Sequence, residues 1–216
     1  MTKVKKILIS FLIPLLSFNL IAQSNPFEST YEPLPSTDVL IKNANIYDGE
    51  GNEFQQTDLL IQNRKIMAIG KDLPVPNNFK VIDASGKWVT PGIIDIHSHM
   101  GVYPAPGVRT SSDGNEATSP VTADVWAEHS MWVQDPQYTL ALSGGVTAFH
   151  VLPGSANLIG GRGVTVKNLQ RNTINSMKFP DAPHSLKMAC GENPKRVYGS
   201  RQQAPSTRMG NIAGYR

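Results

Sequence analysis

The stretch Pro91-Gly92-Ile93-Ile94-Asp95-Ile96-His97-Ser98-His99 decides how the chain is read. Pro91-Gly92 interrupts whatever precedes it, and a short apolar run bounded by such a break reads as a buried strand over 93–97. Side chains alternate faces along a strand, so Asp95, His97 and His99 share one side while Ile94, Ile96 and Ser98 share the other. Two imidazoles spaced two apart at a strand's carboxyl end can put two neutral nitrogens on one divalent cation. An isolated H-x-H pair also arises by composition and is then merely solvated, so context has to decide. Asp95, one layer deeper, is placed to orient a ligand or to close the floor beneath it.

Downstream of this strand the sequence gives a long polar loop, a helix-like stretch over 135–143 stopped by Gly144-Gly145, and a second buried strand over 146–152. Strand–helix–strand order favours parallel pairing in an α/β fold. Further strands are expected over 163–167 and 186–189. Upstream, 39–47, 58–62, 65–69, 81–83 and 87–90 are short β-type runs separated by turn sequences such as Asp48-Gly49 and Ala84-Ser85-Gly86. They predict a small antiparallel sheet, and with no titratable cluster among them its role is structural.

The chain has 216 residues, 40% hydrophobic and 17% charged, which excludes a fibrous or wholly disordered protein. Lys+Arg number 20 against 17 acids, and Lys3, Lys5 and Lys6 account for the excess, so the rest is balanced. With no basic run to release counterions, nucleic-acid binding is excluded as a function class. Those lysines precede an apolar run over 7–21, broken by Ser10, Pro14, Ser17 and Asn19 and followed by Ala22. Residues 1–22 therefore read as a secretory signal peptide and not a stable membrane anchor, since a spanning helix needs about 20 apolar residues. The expected location is periplasmic or secreted. Residues 23–37, rich in proline, serine and asparagine, read as a linker. Cys190 is the only cysteine, which leaves no disulfide framework, and it is expected as a small buried hydrophobe.

The motif from Pro91 to His99 stands with Asp113-Gly114-Asn115-Glu116, Ser119-Pro120-Val121-Thr122, Gly144-Gly145-Val146-Thr147, Leu152-Pro153-Gly154-Ser155, Gly160-Gly161 and Gly191-Glu192-Asn193-Pro194-Lys195-Arg196. Together these blocks resemble the amidohydrolase superfamily, in particular its imidazolonepropionase-like branch. The resemblance implies an α/β protein: a (β/α)8 TIM barrel preceded by a small β-sandwich segment, here 38–90, with 91–216 forming the barrel's N-terminal part. It implies one or two divalent metals, commonly zinc, that lower the pKa of water for attack on non-peptide C–N bonds such as cyclic amides, with a small-molecule substrate. His97 and His99 would be metal ligands, joined by a glutamate or a carboxylated lysine from a middle strand. Glu192, just after the apolar Met188-Ala189-Cys190, is the first candidate, and Lys187 is the alternative.

From Pro91 to Arg216 the chain offers about half of the ~250 residues of a typical complete barrel. His129, His150 and His184 form no strand-end pair, and no aspartate follows Asp181 to move a proton late in the barrel. The expectation is a truncated barrel, inactive alone. The competing reading is a secreted, non-catalytic binding or structural remnant of the fold, and self-association into a homo-oligomer stays open under both. Among other residues, His150 reads as a satisfied core histidine, and Trp126, Met131 and Trp132 as packing. Gly160-Gly161-Arg162-Gly163 reads as a tight turn or an anion-binding nest.

Overall fold

The computed structural model describes residues 26–216; the leader expected over 1–22 lies outside the described residues. Two sheets dominate. Val39–Tyr47 (β1), Glu53–Gln62 (β2), Lys65–Gly70 (β3), Lys80–Asp83 (β4) and Trp88–Val89 (β5) form a five-stranded sheet with β1 at its centre. β2 pairs antiparallel with β1 and β3 with β2, as hairpin turns require. The sheet is nevertheless mixed, because β4 and β5 run parallel to β1. The turn after β3 carries the chain back to the end where β1 starts, which removes the wholly antiparallel arrangement expected from sequence. Ala44, Ile46, Leu59 and Ala84 form its small core. Asp58 is buried beside them, accepting hydrogen bonds from the amides of Asn43 and Leu73 at 2.9 and 3.1 Å.

The second sheet is Ile93–Ser98 (β6), Val146–Val151 (β7), Ile159–Lys167 (β8) and Ser185–Met188 (β9), in that spatial order. β6 and β7 are parallel and joined through Gln137–Ser143 (α1), which ends where Gly145 takes a φ of 91°. β8 runs antiparallel to both neighbours, because the short loop after β7 contains no helix to carry the chain back across the sheet. Glu192–Gly199 (α2) and Arg208–Tyr215 (α3) follow β9. Phe149, Val151, Val164, Val166, Met177 and Tyr138 pack on one face as the main core, with the Tyr138 and Phe149 rings stacked 5.5 Å apart.

β6 departs from the buried strand expected there. It lies at the sheet's edge, and Ile93, Ile94 and Ile96 are exposed, Ile96 to 77%. No described helix covers that side.

The described part of the segment expected as a linker has neither helix nor strand and is tied to the second sheet. Ser29 Oγ donates to the Lys178 carbonyl at 2.8 Å, the Thr30 amide to Asn175 at 2.9 Å, and Arg171 to the Glu32 carbonyl at 2.7 Å. Lys178 Nζ donates to the Phe27 carbonyl and forms a buried ion pair with Glu128 at 2.6 Å.

Candidate metal centre

His97 is the fifth residue of β6 and His99 follows the strand's last residue. Their rings meet edge to face, with centroids 5.2 Å apart. The structure thus brings the two imidazoles together at the carboxyl end of the strand, where barrel enzymes place their chemistry. His99 Nδ1 lies 2.8 Å from the Leu152 carbonyl oxygen. A carbonyl can only accept, so Nδ1 carries the proton and Nε2 presents its lone pair, the tautomer a metal ligand needs. His97 has its pKa lowered, first by desolvation, then by the nearby charges of Lys187 and His99, against an opposing contribution from Asp95. Asp95 itself accepts the His97 backbone amide at 3.0 Å, so it braces the strand and leaves the ring to its neighbours.

Lys187 sits between the exposed Leu186 and Met188 on β9, the edge strand opposite β6. Its residue is 9% exposed, and its Nζ is buried without a hydrogen-bond partner. Burial lowers its pKa. A buried, unpaired ammonium is costly, and the strand places this one where its charge reaches His97.

Glu192 is placed differently. β9 ends at Met188, Gly191 turns the chain at φ 88°, and Glu192 becomes the exposed first residue of α2. Among the described residues no group of three or more His, Cys, Asp or Glu is arranged to hold a metal, so Glu192 does not join His97 and His99 in one. Strand parity points to Lys187, since its burial alternates with the exposure of Leu186 and Met188; proximity to the strand end pointed to Glu192.

The blocks around Gly114 and Gly154 meet, and the first of them reaches toward His99 through Tyr103. The Gly154 amide donates to the Gly114 carbonyl at 2.6 Å, and Asn157 Nδ2 to the Glu116 carbonyl and Thr122 Oγ1, both at 2.7 Å. Asn115 contacts Tyr103, whose ring lies 5.7 Å from that of His99. Gly160 to Gly163 form neither a turn nor a nest: they lie within β8, with the Arg162 amide donating to the Val125 carbonyl at 2.8 Å. A Cβ on Gly161 would stand 2.6 Å from the Val125 carbonyl oxygen, which explains the glycine by backbone approach. Cys190 is exposed, contrary to the buried hydrophobe expected. His150, half-buried, has both ring nitrogens engaged, and its pKa is lowered by burial first and by His184 and His97 after it.

An amidohydrolase from Thermotoga maritima has a crystal structure that superposes with a TM-score of 0.74 at 42% identity, over 82% of this chain and 45% of that one. The amidohydrolase tasK of Hapsidospora irregularis is 36% identical over 199 residues, 87% of this chain and 20% of that protein. The chain belongs to the amidohydrolase superfamily. A dihydroorotase of Lactobacillus leichmannii is 44% identical over 84 residues, 38% of this chain and 18% of that protein. These relatives make the chain a member of a hydrolase family and do not single out the imidazolonepropionase-like branch. No protein-family model matches it. The chain spans between about a fifth and just under half of the length of these superfamily members.

Proposed function

We propose that His97, His99 and Lys187 are the N-terminal half of a divalent-metal centre in a hydrolase of non-peptide C–N bonds, with cyclic amides as the substrate class. The observation that carries this reading is the unpartnered Nζ of Lys187, buried within electrostatic reach of His97. The residues present fit such a group: one imidazole is fixed with Nε2 free, a second is held toward its neutral form, and the third is an amine that becomes an anionic oxygen ligand once carboxylated. A bound divalent ion supplies Lewis acidity that activates water and polarises a carbonyl. The chain's own residues supply orientation. Leu152 locks the His99 tautomer, and Asp95 fixes the His97 backbone.

Until Lys187 is carboxylated the chain offers only the two imidazoles of one strand, fewer than the three protein ligands of a catalytic zinc site, so the 216-residue chain by itself binds zinc weakly and turns over no cyclic amide. The leader-like residues 1–22 support export to the periplasm or beyond. Adding the separately produced C-terminal portion of the Thermotoga relative, with zinc, tests the activity. Hydantoin or dihydropyrimidine hydrolysis that disappears in His97→Ala supports the reading. Zinc-loaded complex with no turnover of any C–N substrate contradicts it and leaves the non-catalytic remnant.

A further inference from the structure

We propose that Ser185, with His150 as its general base, is a nucleophile that takes up an acyl group from an activated ester without a metal. Ser185 Oγ lies 2.6 Å from His150 Nε2, and Thr165 Oγ1 lies 2.9 Å from His150 Nδ1. Nucleophile, base and a third group orienting the base within hydrogen-bond reach is the arrangement that activates a serine hydroxyl. A neutral imidazole between two hydroxyls donates to one and accepts from the other. With Nδ1–H donated to Thr165, Nε2 accepts the Ser185 proton.

Three strands combine to make this contact. His150 on β7 stands opposite Thr165 on β8, and Gly163 on β8 stands opposite Ser185 on β9. The imidazole therefore crosses over position 163 to reach the serine. A Cβ there would come within 2.6 Å of Ser185 Oγ and 2.9 Å of His150 Nε2, so only glycine permits the pair. His150 points away from the core face that holds Phe149 and Val151, and both His150 and Ser185 are half-buried and retain access to solvent.

In the step itself, the Ser185 hydroxyl proton passes to Nε2 as the Oγ–C bond forms at the ester carbonyl. The ester C–O bond breaks, the alcohol leaves with that proton, and water later hydrolyses the acyl-serine. No carboxylate stands behind the imidazole, and Thr165 takes that place, so the expected activity is slow and confined to reactive esters.

The test uses the 216-residue chain, p-nitrophenyl acetate and EDTA. The expected result is a p-nitrophenol burst approaching one equivalent, with the acetyl group mapped by peptide mass to Ser185. Ser185→Ala abolishes the label, Ser185→Cys moves it to sulfur, and His150→Gln slows the burst about 100-fold with unchanged circular dichroism. An absent burst, a burst that needs zinc, or an acetyl group on Lys187 overturns the proposal. So does labelling that persists unchanged in Ser185→Ala.

Discussion

The centre of the four-stranded sheet and its β6 edge use the same chemistry to opposite ends. At the centre, Phe149 and Val151 on β7 are fully buried, and His150 between them has both nitrogens bonded to hydroxyls. At the edge, the equally apolar Ile93, Ile94 and Ile96 face solvent, while His97 and His99 keep nitrogens uncommitted. An apolar run thus becomes core only where neighbouring elements cover it. A histidine becomes available for ligands only where hydroxyls do not saturate it. Stability resides in the centre, and the two proposed histidine ligands lie at the rim.

Four substitutions probe that contrast, in descending size. Phe149→Ala removes a ring with no exposed surface stacked on Tyr138 and costs about 3–5 kcal/mol in urea unfolding. Lys178→Met leaves the buried Glu128 carboxylate without its partner and loosens the Phe27 strap; the expected cost is about 3–5 kcal/mol, and replacing both members recovers most of it. Gly163→Ala forces a Cβ to within 2.6 Å of Ser185 Oγ and 2.7 Å of Leu152 Cδ2, for about 1–3 kcal/mol. Ile96→Ala, at a side chain 77% exposed, stays within about 0.5 kcal/mol. If Ile96→Ala cost as much as Phe149→Ala, the edge would be covered in solution and the contrast would fail.

Much of this was legible in the sequence where pattern and environment agree. Residues 39–47 read as a β-type run and form β1 with those bounds, although the register shifts around Asn43, which sits at φ 58°. Gly144-Gly145 ends α1, and the parallel pairing of β6 with β7 follows from the helix between them. The first half of β2 was missed because Glu53, Gln55 and Gln56 are exposed and polar, and Gln56 sits in the left-handed region at φ 48°. The first half of β8 was missed because Gly160, Gly161 and Gly163 imitate a turn; an added Cβ would crowd the Gly154 carbonyl at Gly160, Val125 at Gly161 and Ser185 at Gly163. Proximity to a strand end favoured Glu192, whereas the burial of Lys187 depends on which face of β9 packs inward, a tertiary fact that the tetrapeptide Ser185-Leu186-Lys187-Met188 does not announce.

The central claim is that His97, His99 and Lys187 make half of a metal site, and equilibrium dialysis of the chain against zinc tests it most directly. The expected result is weak, one-to-one binding that is lost in the His97→Ala, His99→Ala double variant and reduced in Lys187→Met, with the unfolding midpoint little changed. Binding that persists undiminished in the double variant would contradict it.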